Sequence, residues 1–415
     1  MMAQSKTNYF KIIITIMLFS SSAIVFEFQK ISFFLYLQCL FCLVCLLKYK
    51  RIYISKSVLS LILVSVVISG ILPFVGKIPM SWKLCTRNYM IMWIPLYFTA
   101  TYLRRWINGD GEKSLFIVKT LKKVFLIQLI WFPIQFIMYN LLGIDINDLL
   151  FNQIFGLRQN VSFIREGVYY PSGLTWHSAV VAPLFVLSLA LFNKGWIKCL
   201  VFFDAAICGN ATAVIGILVY YVVFFGKSIF NNSIKKKTIY RILLIGLVVL
   251  VAGYFLGIYD KVFALIQNIV YRIVVMEDAS SQAHLRYLTS IPLIFRNSNM
   301  LEILFGYGNA CSGYPHTVLF YQYINAKSWV TECDISNILL SRGIFGFIFY
   351  YYFLMRIIAI GKNINIKYLA VMIAIIIEGV TYNVQFDYVF LIECILLFSA
   401  QWKIDLFSID SKSRL

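Results

Sequence analysis

A polar interval from about residue 258 to about residue 335, called the second loop below, contains most of the side chains that could do chemistry. Glu332 and Asp334 stand near its end, and either carboxylate could take a proton from a hydroxyl group as a general base. His316 could serve as the base too, because histidine titrates near neutral pH. Carboxylates ahead of a helix also suit capping, and a loop histidine can simply be solvated. These structural alternatives stay open.

Arginine side chains form the second set of candidates. The planar guanidinium donates to two oxygens at once, which suits a phosphate group better than the point charge of lysine. A pyrophosphate needs two or more such cations, and we expect Arg165 and Arg286 to provide them. The candidates for further contacts to such a substrate are Arg87, Arg296 and Arg342. The alternative is that these arginines anchor their segments to lipid phosphates.

The composition indicates the class of protein in which these residues lie. The chain has 415 residues, of which 61% are hydrophobic and 13% are charged, and its mean hydropathy is +0.81. Soluble proteins carry about a quarter charged residues. We therefore predict an all-α polytopic membrane protein, with a single integral membrane domain over residues 1–415.

Apolar runs of about 15 to 23 residues recur along the chain, and most are long enough to cross a hydrocarbon core of about 30 Å. We predict about twelve transmembrane helices from them. Their expected positions are about 10–26, 31–47, 57–75, 88–103, 124–141, 174–192, 196–207, 211–225, 239–257, 336–358, 367–382 and 388–402. The seventh and eighth are short, are joined by Cys208-Gly209-Asn210, and could form a re-entrant pair.

Lysine and arginine residues orient these helices. With the N-terminus inside, the inner segments hold about two-thirds of the 37 Lys and Arg residues, so the positive-inside rule places both termini in the cytoplasm. A formal charge of +19 would suggest nucleic acid as the partner of a soluble protein. Because the positive charge gathers on the inner side, anionic membrane lipids are a sufficient partner, and no nucleic acid is expected.

Two outward segments are long, the first loop at about residues 143–173 and the second loop at about 258–335. Loops longer than about 15 residues are usually functional or disordered, and the apolar spacing indicates order here. We predict amphipathic helices at about 262–274 and about 283–295. The apolar side of the latter consists of Leu285, Leu288, Ile291 and Phe295. The sequence Gly306-Tyr307-Gly308 predicts a turn.

Ionisable residues inside membrane helices suggest function. Asp204, Glu378 and Glu393 all fall in the outer halves of predicted helices, which suggests a polar cavity open to the outside. Hydrogen bonding between helices is the alternative. Cys311 and Cys333 share the second loop and could pair in an oxidising compartment. The cysteine spacings do not match a zinc site, and we expect no metal.

The layout resembles the Wzy-type polymerases of the O-antigen ligase and polymerase superfamily. The shared features are about twelve helices, two long periplasmic loops and short motifs between about residues 160 and 350. The motif residues are Arg165, Gly167 and Pro171 in the first loop, Arg286, Gly306 and Gly308 in the second, and Asn337, Leu339, Leu340, Gly343 and Gly346 at re-entry into the membrane.

The resemblance implies a multi-pass enzyme of the bacterial inner membrane whose active face is periplasmic. It would join oligosaccharide repeat units, carried on undecaprenyl pyrophosphate, into O-antigen or a related surface polysaccharide. Arg165 and Arg286 would bind the pyrophosphate, and Asp334 or Glu332 would activate the acceptor. Because the lipid carries the activated bond, no cofactor is expected. A chain-length regulator and a flippase could be protein partners.

Other functions stay open. A ligase would transfer finished glycan to the lipid A-core, and the related ligases usually have a histidine directly before the re-entry asparagine, where this chain has Ser336. A flippase or other transporter would be expected to carry charges deep along a central passage and to have short loops. A structural partner in polysaccharide assembly is the remaining alternative.

Overall fold

A computed structural model describes residues 2–22, 27–28, 31–50, 94–107, 110–156, 163–165, 168–175, 181–230, 286–308, 311–319, 331, 333–359 and 366–382. This part of the chain is mostly helical and contains two short hairpins. The predicted spans at 57–75, 239–257 and 388–402, and the predicted amphipathic helix at 262–274, lie outside the described residues.

The elements follow in this order. The first part contains α1 (Met2–Ser22), β1 (Glu27–Phe28), β2 (Ile31–Ser32), α2 (Phe33–Tyr49), α3 (Ile94–Ile107) and α4 (Gly111–Leu142). The first loop contains a π-helical segment (Asp148–Ile154) and the antiparallel strands β3 (Phe163–Arg165) and β4 (Val168–Tyr170). Next come α5 (Ala182–Leu191), α6 (Gly195–Ile207) and α7 (Ala211–Phe230). The second loop contributes α8 (Ile291–Arg296), α9 (Met300–Phe305) and α10 (Tyr314–Leu319), before α11 (Asp334–Ala359) and α12 (Ile366–Thr381).

Helix α5 forms the centre of the described bundle. All ten of its residues are buried, because α4, α6, α7 and α12 contact it from different sides. Phe132 of α4 packs against Phe185 of α5 with the ring centroids 5.4 Å apart. The same hydrophobic core extends through α1, α2 and α3. A helix that is apolar on every side is stable only when it is enclosed in this way.

Helices α7 and α12 make the closest pair. A Cβ atom at Gly216 of α7 would overlap the carboxyl group of Glu378 on α12, so glycine is required for this approach. Glu378 is fully buried there. The sequence predicted this carboxylate to lie inside a helix, and its placement between two helices agrees with that prediction.

Most described helices coincide with predicted apolar runs. The runs at 10–26, 31–47, 196–207, 211–225 and 367–382 correspond to α1, α2, α6, α7 and α12. Residues Cys208-Gly209-Asn210 form the predicted connection between α6 and α7. These agreements follow from the long apolar stretches and the polar residues that end them.

Several predicted boundaries differ from the structure, and α1 already begins at Met2 rather than at 10. Helix α4 begins at Gly111 rather than at 124, because Asp110 caps it by accepting hydrogen bonds from the backbone N–H groups of Glu112 and Lys113 at 3.0 and 3.2 Å. Its first turns carry lysines, which are good helix formers but lower the local hydropathy. Helix α3 continues to Ile107 rather than ending at 103, and within the run at 174–192 the structure describes a helix only from Ala182.

Apolar side chains form exposed stripes on the outer faces of the helices. The stripes are Tyr36, Leu40, Leu43 and Leu47 on α2, and Ile127, Ile130, Ile137 and Leu141 on α4. The spacing of three, four or seven residues keeps each stripe on one helix face. Of the described helices, α4 is long and apolar enough to cross a membrane by itself, and shorter apolar helices accompany it. The twelve predicted spans therefore stay a prediction.

Lysine side chains gather at one end of the bundle, called the lysine end below. Lys48 at the end of α2 has its Nζ atom 4.0 Å from the centre of the Phe10 ring in α1. Lys113 at the start of α4 lies 5.6 Å from the Trp106 ring centre in α3 and 2.9 Å from Asp110. These contacts join the end of α2 to α1, and the end of α3 to the start of α4. The sequence predicted these lysines to lie on the cytoplasmic side, and that assignment stays a prediction.

Segments of both loops pack at the other end, called the loop end below. The start of α12 lies away from the loops, and there Lys367 donates a hydrogen bond at 2.8 Å to Asn193, which follows α5. Gly379 lies about 18 Å further along α12, and there it packs against Asp334 at the junction of the second loop and α11. In the same way, α6 begins near Asn193 and ends beside Gly209, which packs against Tyr170 of the first loop.

Helix α11 is broken at Gly343, where the backbone has φ 65° and ψ −172°. The predicted span at 336–358 is therefore helical but not continuous. In a straight helix Tyr351 would lie about 25 Å from Asp334, yet the two side chains interact electrostatically. The two halves of α11 therefore fold towards each other at the break.

We expect Gly343→Ala to lower the free energy of unfolding by at least about 3 kcal/mol, because the residue adopts a left-handed conformation and its Cβ atom would overlap the backbone of Leu304 and Phe305. Gly143→Ala is the matched control, since Gly143 has φ 68° but open space around it, and it should lower this free energy by only about 1 kcal/mol. Thermal unfolding of the purified protein measures both values. Equal losses would mean that the contact at the break does not constrain α11.

Candidate functional site

Buried polar side chains concentrate where the second loop meets the start of α11. This group, called the polar cluster below, consists of Ser312, His316, Thr331, Asp334, Ser336, Asn337 and Ser341. Polar groups withdrawn from water need hydrogen-bond partners, and each costs stability if it lacks them. A concentration of this kind at the start of a helix is therefore a candidate site.

Ser312 connects the loop to the helix at the centre of the polar cluster. Its hydroxyl donates a hydrogen bond to Asn337 Oδ1 at 2.6 Å. The same hydroxyl accepts from the backbone N–H of Thr331 at 3.0 Å and lies 3.3 Å from the Thr331 hydroxyl. All three residues are buried. The network fixes the asparagine of the re-entry motif and holds two parts of the loop against the first turns of α11.

The Gly306-Tyr307-Gly308 segment has a more specific role than the predicted turn. The break at Gly343 leaves carbonyl groups of the first half of α11 without helical partners. The N–H groups of Tyr307 and Gly308 bind two of them, at Leu340 O and Ser341 O, at 2.7 and 3.0 Å. Gly306 packs directly on the backbone at the break, where a side chain would not fit. The two glycine motifs are therefore parts of one structural unit.

Asp334 lies in the first turn of α11 and is 4% exposed. Its carboxylate packs over Gly379 of α12, since a Cβ atom at that position would lie 2.6 Å from Asp334 Oδ2. Tyr351 of the second half of α11 interacts with it electrostatically. The position agrees with a carboxylate near a helix N-terminus, which the helix dipole stabilises. Asp334 thus faces the junction of three helical segments rather than open solvent.

His316 is buried, with 2% of its surface exposed, so the solvated alternative was wrong. Its Nδ1 atom lies 3.3 Å from the hydroxyl of Ser290, and the Tyr287 ring stands edge-on to it at 5.2 Å. Burial lowers the pKa of His316 to about 4. The ring is therefore neutral at neutral pH, where it is a weaker base than an ordinary histidine and cannot act as a cation for a phosphate.

The segment before α8 presents a different face from the one predicted. Tyr287 and Ile294 are buried, whereas Leu288, Ile291 and Phe295 are only partly buried and Leu285 lies outside the described residues. Pro292 stands in the first turn of α8, so a new helix starts there instead of a continuous one over 283–295. The buried side of this segment therefore contains Tyr287 and Ile294 instead of the predicted Leu288, Ile291 and Phe295.

The structure places three of the candidate arginines at different depths. Arg286 and Arg296 are exposed on the second loop, ahead of α8 and at its last turn. Arg342 is partly buried directly before the break in α11, and its side chain packs against Gly346. Arg286 is thus available to a ligand at the surface, while Arg342 is part of the packing at the break.

Arg165 stands near the tip of the β3–β4 hairpin, where its backbone pairs with that of Val168. The structure describes the backbone of Arg165 and not the position of its side chain, so its proximity to Arg286 stays a prediction. The base of the first loop is fixed by Tyr169, whose ring stacks on Tyr139 at 4.1 Å. Arg87 and Glu332 lie outside the described residues.

Several site residues were missed by the sequence. Ser312 and Thr331 have no motif around them, and their contacts join segments distant in the chain. Gly379 was overlooked as well, although a glycine one position after a buried carboxylate in an apolar helix could have indicated a close approach. Cys311 and Cys333 are buried and do not form the disulfide that the sequence allowed.

The polar cluster has the chemistry of a site for a hydroxyl-bearing ligand. It offers a carboxylate and a neutral imidazole as proton acceptors, hydroxyl and amide groups as hydrogen-bond partners, and exposed arginines on the loop above. Among the described residues, no group of three or more His, Cys, Asp or Glu side chains could hold a metal ion. No family model, curated protein or solved structure matches the chain.

Proposed function

We propose that the protein is an inner-membrane glycan polymerase that joins oligosaccharide repeat units carried on undecaprenyl pyrophosphate at the periplasmic face. A single observation carries the proposal: a buried carboxylate, Asp334, lies at the start of a broken helix beneath a long loop that presents exposed arginines. The resemblance of the re-entry motif to the Wzy-type polymerases gives this arrangement its chemical interpretation.

The exposed apolar stripes support the membrane environment. In a soluble protein the apolar face of a helix packs inward and the exposed face is polar. Here Leu40, Leu43 and Leu47 of α2 and Ile130 and Ile137 of α4 face outward, on top of an apolar core. Contiguous apolar surface of this extent requires lipid or another protein to cover it. Lipid accounts for stripes on several helices at once.

The separation of lysines from loops supports the orientation. Lys48 and Lys113 lie at one end of the bundle, and the contacts Asp334 to Gly379 and Tyr170 to Gly209 lie at the other. The positive-inside rule assigns the lysine end to the cytoplasm. The loop end, with the polar cluster, then faces the periplasm. We propose that both termini are cytoplasmic, as the distribution of Lys and Arg in the sequence predicts.

The proposed reaction is a glycosyl transfer between two lipid-linked chains. A hydroxyl oxygen of the incoming unit forms a bond to the anomeric carbon of the growing chain, and the bond from that carbon to the pyrophosphate oxygen breaks. Asp334 or Glu332 accepts the hydroxyl proton, and undecaprenyl pyrophosphate leaves with the bonding electron pair. Arg165 and Arg286 stabilise the negative charge of the leaving group. A flippase would supply the units, and a chain-length regulator could limit the product.

Deletion of the gene tests the assignment. We expect the deletion strain to make surface lipid with a single repeat unit, because units still cross the membrane and are still ligated but are not joined. Gel electrophoresis of the extracted lipopolysaccharide shows the ladder directly. Expression of the gene from a plasmid is the control and should restore the ladder.

The same experiment separates the other functions. A ligase mutant would leave the lipid bare while long chains accumulate on the undecaprenyl carrier, and a flippase mutant would trap single units inside the cell. Full-length ladders in the deletion strain would remove the polymerase assignment.

A further inference from the structure

A second group of buried polar side chains lies beneath the first loop, away from the polar cluster. Gln135 of α4 and Asp204 of α6 are fully buried, and Ser172, which follows β4, is 1% exposed. Four of their atoms have no hydrogen-bond partner: Gln135 Nε2, Ser172 Oγ and both carboxylate oxygens of Asp204. Buried polar atoms are nearly always paired in folded proteins, so this group is a candidate site for a bound water or a ligand.

The helix packing places the three residues at one level. Phe136 of α4 and Phe203 of α6 pack edge to face with their ring centroids 6.4 Å apart. Gln135 and Asp204 are the neighbours of these two rings, and each lies on the buried face of its helix. The N–H of Gly173 donates to Gln135 Oε1 at 2.7 Å, which brings Ser172 to the same level.

The hydrogen-bonding character of the group defines the ligand class. The bond from Gly173 fixes the orientation of the Gln135 amide, so its NH₂ group is the donor that faces away from the loop backbone. Asp204 contributes acceptors when ionised, and Ser172 can donate or accept. A hydroxyl group can both accept and donate a hydrogen bond, so it suits this mixed set of donors and acceptors.

The first loop covers this group and is itself well fixed. Tyr170 packs on Gly209, at a position where any side chain would collide with the tyrosine ring. The N–H of Leu174 donates to Gln128 Oε1 at 2.9 Å, and Asn147 Nδ2 donates to Gly173 O at 2.7 Å. A ligand that enters must therefore displace Tyr170 from Gly209 or approach from between the helices.

We propose that Gln135, Ser172 and Asp204 form a subsite that binds a sugar hydroxyl of the lipid-linked repeat unit. The proposal rests on the proposed function for the identity of the sugar-bearing ligand, and on the unpaired buried atoms for the subsite itself. Asp204 accepts the hydrogen bond from the sugar hydroxyl, and Gln135 donates one to its oxygen. The subsite positions the substrate and takes no part in bond breaking.

A binding measurement tests the subsite independently of polymerisation. The purified protein, in nanodiscs of phosphatidylethanolamine and phosphatidylglycerol, is titrated with radiolabelled undecaprenyl pyrophosphate and with the same lipid carrying one repeat unit. We expect the wild type to bind the glycosylated lipid about ten-fold more tightly than the bare lipid, because two hydrogen bonds of ordinary strength together add about this much. Asp204→Ala and Gln135→Leu should each remove most of this preference and leave the affinity for the bare lipid unchanged.

Two further variants make the result specific. Asp204→Asn keeps the shape and an acceptor, so it should retain part of the preference, and it remains informative if Asp204→Ala fails to fold. Ser188→Ala removes another fully buried hydroxyl without a hydrogen-bond partner, on α5, and should bind both lipids like the wild type. Size-exclusion profiles verify that each variant is folded.

The outcomes distinguish the subsite from the function. A wild type that prefers the glycosylated lipid, with the preference intact in both Asp204 variants and in Gln135→Leu, would overturn the subsite and mean that only water occupies it. The proposed function would then stand. A wild type without any preference for the glycosylated lipid would also overturn the subsite, whereas only full-length ladders in the deletion strain would overturn the proposed function.

Discussion

Asp334→Asn should reduce chain extension by about 100-fold or more, the contribution expected of a general base. The substitution keeps the size of the side chain and removes its ability to accept a proton from a sugar hydroxyl. Because Asp334 is buried at the first turn of α11, the charge is held close to the re-entry motif instead of being dispersed in solvent. The measurement is the length distribution of surface polysaccharide in a deletion strain that expresses the variant at wild-type level.

Gly379→Ala provides an independent test with the carboxylate left in place. The new methyl group would lie 2.6 Å from Asp334 Oδ2 and 3.2 Å from Asp334 Cβ, so the carboxylate must move. We expect this variant to lose about ten-fold or more in chain extension, since small displacements of catalytic groups have effects of this size. Gly195→Ala is the control, because nothing lies within 4 Å of a Cβ atom there.

The two candidate carboxylates can be separated by comparing Asp334→Asn with Glu332→Gln. Full ladders in Asp334→Asn together with their loss in Glu332→Gln would transfer the role of general base to Glu332.

The sequence predicted the helices of the bundle wherever a long apolar run had polar residues at both ends. Helices α6 and α7 are examples, because the turn Cys208-Gly209-Asn210 separates two apolar runs. The start of α4 was not accessible in this way. Its first turns carry lysines and belong to the helix through a cap at Asp110, a local hydrogen-bond pattern that a hydropathy window averages away.

The break in α11 shows a second limit. A single glycine within an apolar run usually continues a helix at a small cost, so Gly343 gave no clear signal by itself. Its conformation depends on Gly306, which comes from a different part of the chain and packs on the same backbone. A contact between two glycines that are distant in the chain leaves no periodic pattern in the sequence. The motif could be recognised, but the contact between its parts could not be derived.

The candidate site divides in the same way. Asp334 and His316 were identified by residue type, because few side chains in an apolar chain can accept a proton. Their burial was not predicted, since it depends on contacts made through Tyr287, Ser290 and Gly379. Gln135 was missed altogether. The sequence does not mark an amide side chain in a long helix as unusual. Only the packing of the first loop shows that Gln135 Oε1 is hydrogen-bonded while its Nε2 atom has no partner.

Arg165→Ala and Arg286→Ala should each reduce chain extension by about 100-fold or more at an unchanged protein level, the effect of removing one preorganised donor to a developing negative charge. In the proposed reaction the leaving group is a pyrophosphate, and its charge rises as its bond to the anomeric carbon breaks. Arg286 is exposed on the second loop, so its replacement should leave the fold intact. Arg286→Lys retains the charge without the planar fork and should therefore lie between the wild type and Arg286→Ala.

Arg158→Ala is the matched control, because Arg158 belongs to the same first loop as Arg165 but is not expected to contact the pyrophosphate. It should give ladders of wild-type length. Equal activity in the Arg165, Arg286 and Arg158 variants would show that other cations hold the leaving group, and Arg87, Arg296 and Arg342 would be the next to replace. Loss of chain extension in all three variants, together with poor insertion into the membrane, would instead indicate that these arginines anchor the loops to lipid phosphates. In that case Arg286→Lys, which keeps the positive charge, should restore full activity.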